Sequence, residues 1–179
     1  MAQALFITQE DLVKYTALNG NVDPDKFIQF IKIAQDIHIQ NYLGTDLFNK
    51  INNDIVAGTI SGNYLSLLNN YIKPMLTHWA MSEYLPFAAY TIANKGVYKH
   101  GSENSESVAK NEVDYLVEKE QSIAKHYTER FIDYMYYNQS LFPEYNTNSN
   151  GDMHPDRSNN FGGWFLWLLK RDTHLKRRM

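Results

Sequence analysis

The feature that most constrains this chain is an apolar periodicity of about 3.6 residues, which covers most of the sequence from Thr8 to Asn138 and is typical of amphipathic helices. The longest apolar stripe begins after Ser61. Its members share one helix face: Leu65, Leu68, Ile72, Met75, Leu76 and Trp79. A second stripe extends from about Val108 to Asn138 and is predicted to turn inward Val113, Leu116, Ile123, Tyr127, Phe131 and Tyr134. The sequence therefore predicts an all-α fold, a helical bundle built around two long antiparallel helices.

Capping and breaking residues predict where the shorter helices begin and end. Thr8 is followed by acidic residues and is a favourable N-cap for a first helix. Gly44 is predicted to end the second helix, Thr45 to open a third, and Gly58 to close it. These boundaries follow from residue type alone.

Two prolines, Pro74 and Pro86, interrupt the longest stripe. Each lacks an amide donor and clashes with the preceding turn, so residues 62 to 94 form either one bent helix or two. The polar, glycine-containing stretch from Asn94 to Ser107 predicts an exposed connection, in which Val97 and Tyr98 are suited to a short strand.

Three charged side chains, Glu83, Glu120 and Arg130, fall in or beside the apolar stripes, where burial is costly unless the charge is paired. They indicate either a catalytic cluster or a buried ion pair, and we favour the ion pair because the sequence offers few titratable groups that an enzyme could bring together. His126 and Glu129 lack a third ligand at a suitable spacing, and the chain has no cysteine. We expect no catalytic residue, no metal and no other cofactor, and hence a protein that is not an enzyme.

Tyrosines crowd the end of the second long helix, at Tyr127, Tyr134, Tyr136 and Tyr137. Aromatic rings also stack on single-stranded bases, but only one basic residue, Arg130, lies among these four. Contact between protein subunits is the better interpretation, because tyrosine is common in such interfaces.

Charge is divided unevenly along the chain. Residues 170–179 carry five basic side chains against one acidic residue, which leaves 12 basic and 19 acidic side chains in residues 1–169. An acidic body does not adhere to the phosphate backbone of nucleic acid. No window reaches the roughly 18 apolar residues of a membrane span, and the N-terminus has no signal-peptide pattern, so a secreted or spanning protein is disfavoured.

The composition predicts three parts: a helical domain over residues 1–145, a polar linker over 146–160, and an aromatic and basic arm over 161–179. The apolar side chains of the arm are costly to leave in water, so the arm docks on its own domain, in a membrane interface or in a groove of another protein. The polar linker favours reaching outward. The predicted docking residues are Phe161, Trp164, Phe165, Trp167, Leu168, Leu169, Lys170, Arg171, Lys176, Arg177 and Arg178.

Several short motifs occur in a fixed order. They are Phe6-Ile7-Thr8, Tyr42-Leu-Gly-Thr-Asp-Leu47, Tyr71-Ile-Lys-Pro74, His78-Trp79, Leu85-Pro86-Phe87, Ile92-Ala-Asn-Lys-Gly96-Val97, Ser102-Glu-Asn-Ser105 and Leu141-Phe-Pro-Glu-Tyr145. In this order, over roughly residues 5 to 145, the chain resembles the head-to-tail connector (adaptor) proteins of tailed bacteriophages, particularly crAss-like phages.

The resemblance implies a structural virion protein at the head-to-tail junction, assembled in the cytoplasm of the bacterial host. Such a subunit forms a homo-oligomeric ring, typically a dodecamer, that binds the portal protein and the next tail component. Genomic DNA passes through its lumen without sequence-specific binding, and no membrane is involved. The family's C-terminal arm binds the portal, and residues 161–179 are the segment suited to that role here. The alternative is a peripheral membrane-associated helical protein anchored by its Trp-rich basic tail.

Overall fold

A computed structural model of the chain describes residues 3–18, 24–88, 90–93, 96–99, 110–147, 149 and 151–157. The α-helices are α1 (Gln9–Tyr15), α2 (Ile28–Ala34), α3 (Gln40–Val56), α4 (Gly62–Leu67), α5 (Lys73–Ala88), α6 (Lys110–Asn138) and α7 (Glu144–Thr147). Two π-helical segments, Gln35–Ile39 and Leu68–Ile72, join α2 to α3 and α4 to α5, and short 3₁₀ turns occupy Pro24–Lys26 and Gln139–Leu141. The prediction of an all-α helical bundle is confirmed.

Helices α5 and α6 pack side by side in opposite directions. Tyr71, just before α5, stacks on Tyr134 near the end of α6, with ring centroids 4.1 Å apart. Further along α5, the indole N–H of Trp79 donates to the Thr128 hydroxyl at 3.2 Å. Because later residues of α5 meet earlier residues of α6, the two long helices are antiparallel, as predicted.

The connection between these helices contains a short antiparallel hairpin. Strand β1 (Tyr90–Ala93) pairs with β2 (Gly96–Lys99) in a register that sets Ile92 opposite Val97. The strand expected around Val97 and Tyr98 is present.

Local sequence signals define several helix ends. Thr8 caps α1 through a capping box, in which its hydroxyl accepts from the Asp11 amide and the Asp11 carboxylate accepts from the Thr8 amide. Gly58 has a φ of 66°, in the left-handed region that glycine adopts readily, and ends α3. Gly44 has φ 71° and ψ 161°, which are not helical, so α3 is broken there.

The apolar stripe of residues 62–88 forms one continuous helical run, which resolves the alternative that Pro74 left open. The π-helical segment ends at Ile72, two residues before that proline, and the Lys73 amide donates to the Leu68 carbonyl five residues back. The wider turn moves backbone carbonyls away from the position where the proline ring would collide with them. Pro86 lies in the last turn of α5, which ends at Ala88.

The core lies where α1, α2 and α3 cover the α5–α6 pair, and it is continuous across all five helices. The buried residues of α6 all fall between Ala124 and Met135. The prediction of Leu116 as an inward residue is wrong, because its side chain is 46% exposed. Periodicity indicates which helix face is apolar, whereas burial also requires another element alongside that turn. No described helix is long and apolar enough to cross a membrane.

Candidate functional site

The predicted docking residues, Phe161 to Arg178, lie outside the residues that the structure describes. The structure does show how the chain is held just before them. Residues 149 and 151–157, which the sequence assigned to a polar linker, contact helix α3 and the short helix α7 at Tyr145. This contact region is called the anchor segment here.

The anchor segment binds at the break in α3. In an uninterrupted helix the Thr45 amide would donate to the Asn41 carbonyl. Instead, the Thr45 amide donates to the Met153 carbonyl at 3.0 Å, and the Asn41 carbonyl accepts from the Asp156 amide at 2.9 Å. The non-helical backbone of Gly44 thus frees one donor and one acceptor, and the anchor segment satisfies both.

Side chains strengthen this contact. The Thr45 hydroxyl donates to Asp152 at 2.9 Å and accepts from the Met153 amide at 3.1 Å. The carboxylate of Asp46 accepts from both the amide and the hydroxyl of Ser149, at 2.6 and 2.9 Å. Hydrogen bonds to a charged group are stronger than neutral ones, so residues 149 and 151–153 are held by more than backbone pairing.

Arg157, the last described residue of the anchor segment, attaches this segment to α7. Its guanidinium donates to the Tyr145 carbonyl at 2.8 Å and to the Asn146 side chain at 3.1 Å, and lies 4.7 Å above the centre of the Tyr145 ring. Burial raises the pKa of Tyr145, an effect that the guanidinium opposes.

Two exposed tyrosines lie at the end of the bundle where Arg157 contacts α7. Tyr136 and Tyr137 are 72% and 81% exposed, with their rings in a T-shaped pair. The Asn146 side chain, which contacts Arg157, also donates to the Gln139 carbonyl just beyond α6. Of the four tyrosines predicted as a contact surface, these two face solvent, whereas Tyr127 and Tyr134 pack against the core.

The charged residues predicted near the apolar stripes lie in separate contacts rather than in one cluster. Glu83 pairs with His38 at 2.9 Å, and the His38 ring stacks on Trp79. Glu120 pairs with His78 at 2.7 Å. The two pairs connect α5 to different neighbours, one in the π-helical segment before α3 and one in α6. Glu83 and Glu120 are thus paired with histidines and not with Arg130.

Arg130, the third of those residues, lies over the Tyr71 ring at 5.1 Å. Sequence reasoning identified the carboxylates that needed partners but missed His38 and His78 as the partners. Both histidines lie in apolar helix segments, which indicates that they are partly buried. That position does not predict which helices pack together, and hence not which carboxylate each histidine contacts. Within the described ranges, no three His, Asp or Glu side chains form a group able to hold a metal ion.

Comparison with known proteins identifies one family. Residues 39–154 match a family of unknown function (DUF6712). The matched range begins at the end of the first π-helical segment and includes α3, α5, α6 and the first part of the anchor segment. No curated protein and no solved structure matches the chain.

Proposed function

The chain belongs to the DUF6712 family of unknown function, and we propose that it is a structural virion protein, a ring-forming adaptor that joins the portal of a tailed bacteriophage to its tail. In this proposal the protein is not an enzyme. The C-terminal arm of each subunit binds the portal, and the body forms a ring through which genomic DNA passes. The next tail component binds the opposite side of the ring.

The observation that carries this proposal is the anchoring of the chain at Arg157, shortly before an arm of this composition. The arm sequence holds three aromatic and three leucine side chains between Trp164 and Leu169, followed by a basic end. The chain is held at Tyr145 by Arg157, four residues before the arm in sequence, and in a ring every copy repeats this contact. Arms on one ring that bind a matching ring gain avidity, because each bound arm raises the effective concentration of the next.

The exposed tyrosines suit a contact between subunits. Tyr136 and Tyr137 offer apolar rings with polar hydroxyl groups at a surface that borders the anchor segment. In a closed ring each subunit repeats the same contact with its neighbour, so a modest patch is used many times. The acidic body supports passage of DNA, because a negatively charged lumen does not retain a phosphate backbone.

Reconstitution with the portal protein of the same phage tests the proposal. We expect the purified chain to form rings that attach to portal rings in electron micrographs. A chain ending at residue 160 retains every described residue and should lose portal attachment. Trp164→Ala with Trp167→Ala should weaken attachment strongly, whereas Lys119→Gln, a surface change on α6, should leave it intact. The proposal is refuted if the chain forms no rings and if its portal binding is the same with and without residues 161–179.

A membrane role is the second candidate, because the arm combines tryptophans with a basic terminus in the manner of interfacial anchors. Flotation with anionic and neutral liposomes distinguishes the two. Flotation that requires residues 161–179, in a chain that does not bind the portal, would favour the membrane protein. We expect portal binding instead.

A further inference from the structure

An open cleft of about 480 Å³ lies between α1, the second π-helical segment and the α5–α6 pair. Its volume is in the range of small-molecule and side-chain binding sites. The walls include Asp11 and Tyr15 from α1, Lys73 and His78 from α5, and Tyr127 and Arg130 from α6. The cleft is distinct from the anchor segment and from the arm.

Arg130 supplies an uncommitted cation at this cleft. Its guanidinium lies over the Tyr71 ring, and across the residues that the structure describes it forms no ion pair or hydrogen bond. Stacking uses the flat face of a guanidinium and leaves its N–H groups able to donate. Two parallel N–H donors match the two oxygens of a carboxylate, which favours a planar anion as the ligand.

Lys73 supplies a second cation that is partly engaged. Its ammonium donates to the Asp11 carboxylate at 3.1 Å and retains two further donors. Burial raises the pKa of Asp11, but the Thr8 amide and Lys73 outweigh that effect and lower it overall. Asp11 therefore stays ionised and orients the ammonium within the cleft.

The charge balance favours one negative charge over two. The cleft wall has two cations against Asp11, and Glu120 lies behind the His78 ring at 2.7 Å. These carboxylates repel a dianion such as phosphate more than a monoanion. The rings of Tyr15 and Tyr127 add apolar wall area that suits the carbon stem of a side chain or peptide.

A separate observation comes from the backbone. Asn69 and Asn70 line the cleft from the π-helical segment Leu68–Ile72. Such π-bulges disturb regular helix bonding and are frequent at functional sites. Here the bulge also accommodates Pro74, and it places two amide side chains at the wall opposite α6.

We propose that this cleft binds a single carboxylate group of a polypeptide, held by Arg130 and Lys73. The carboxylate belongs either to an acidic side chain or to a chain terminus, since both present the same planar group. The site does not depend on the arm or on the proposed adaptor role.

Saturation-transfer difference NMR on the full chain tests the site, because it detects weak ligands on proteins of any assembly size. The observed probes are glutamate blocked at both backbone ends, equally blocked glutamine and N-acetylglycine. Inorganic phosphate, which has no carbon-bound protons to observe, is added as a competitor that displaces the bound probe. We expect saturable transfer to blocked glutamate or N-acetylglycine, with the better of the two identifying the source. Blocked glutamine and phosphate should bind more weakly.

Variants locate the binding. Arg130→Gln should raise the Kd of the carboxylate probe by about tenfold or more, and Arg130→Lys by less, because lysine keeps the charge and loses the fork. Lys119→Gln changes the charge of α6 equally and should leave the Kd unaltered. Circular dichroism confirms that each variant folds. Three results would overturn the proposal: blocked glutamine binding as tightly as blocked glutamate, phosphate binding more tightly than either carboxylate probe, or an unchanged Kd in Arg130→Gln. These results say nothing about portal attachment, so the two proposals can fail separately.

Discussion

Replacing Gly44 by alanine is predicted to destabilise the protein and release the anchor segment. The backbone at Gly44 has φ 71° and ψ 161°, a combination that costs a residue with a Cβ about 1–3 kcal/mol. The added Cβ would also lie 2.6 Å from Cδ and 3.0 Å from the backbone nitrogen of Pro155. Atoms this close must separate, so residues around Pro155 have to move away from α3.

The loss of stability can be estimated from the hydrogen bonds that this movement breaks. The two backbone hydrogen bonds of Met153 and Asp156 to α3 contribute about 1 kcal/mol each. Together with the strain, Gly44→Ala should lower the free energy of unfolding by about 3–5 kcal/mol. Gly58→Ala is the matched control, because Gly58 has a similar φ of 66° but no atom within 4 Å of an added Cβ. That variant should lose about 1–2 kcal/mol.

Urea unfolding followed by tryptophan fluorescence measures the stability of both variants. Hydrogen exchange with mass spectrometry reports on the anchor segment. The Met153 and Asp156 amides should exchange faster in Gly44→Ala than in the wild type, and at the wild-type rate in Gly58→Ala. The reasoning fails if the two variants are equally stable, or if residues 151–157 keep wild-type protection in Gly44→Ala.

Three further predictions concern individual contacts. Thr128→Val should lower the free energy of unfolding by about 1–3 kcal/mol, because the buried indole N–H of Trp79 loses its acceptor. Urea unfolding measures this change, and a decrease of less than about 0.5 kcal/mol would contradict the prediction. Asp11 has a lowered pKa, so its stabilising effect is complete above its ordinary value of 3.8 and disappears as pH falls through the folded-state pKa. In Asp11→Asn, the free energy of unfolding, measured against pH, should therefore decline less steeply below about pH 4 than in the wild type, and an identical slope would argue against the Lys73 contact. Tyr64→Phe removes a 2.7 Å hydrogen bond to Glu144 and should lower the free energy of unfolding by about 1–2 kcal/mol. Thermal unfolding should therefore show a lower midpoint, and an unchanged midpoint would show that the bond contributes nothing.

The outline of the fold was predictable from local patterns. Thr8 caps α1, Gly58 closes α3, and Gly44 breaks the helix where a glycine was expected to end it. The pairing of two long antiparallel helices followed from their apolar stripes. The exposure of Leu116 was not predictable, because an apolar stripe does not report how far its covering helices extend.

The candidate site was predicted only in part. The composition of the arm indicated a docking segment, and the docking role of Phe161 to Arg178 remains a prediction. The anchor segment was not foreseen, since its contacts use backbone groups and small polar side chains that leave no periodic trace. The cleft was also not foreseen, because Asp11, Lys73 and Arg130 come from three separate elements.

The sequence by itself determined the helical class, the positions of several helix ends and the uneven division of charge between body and terminus. These properties depend on interactions within one or two helical turns, or on composition alone. Tertiary structure decided that Glu83 and Glu120 pair with histidines, and that the anchor segment occupies the break at Gly44. Thr45 and Asp152 are 107 positions apart, and only the packing of the helices brings such distant groups within hydrogen-bonding distance.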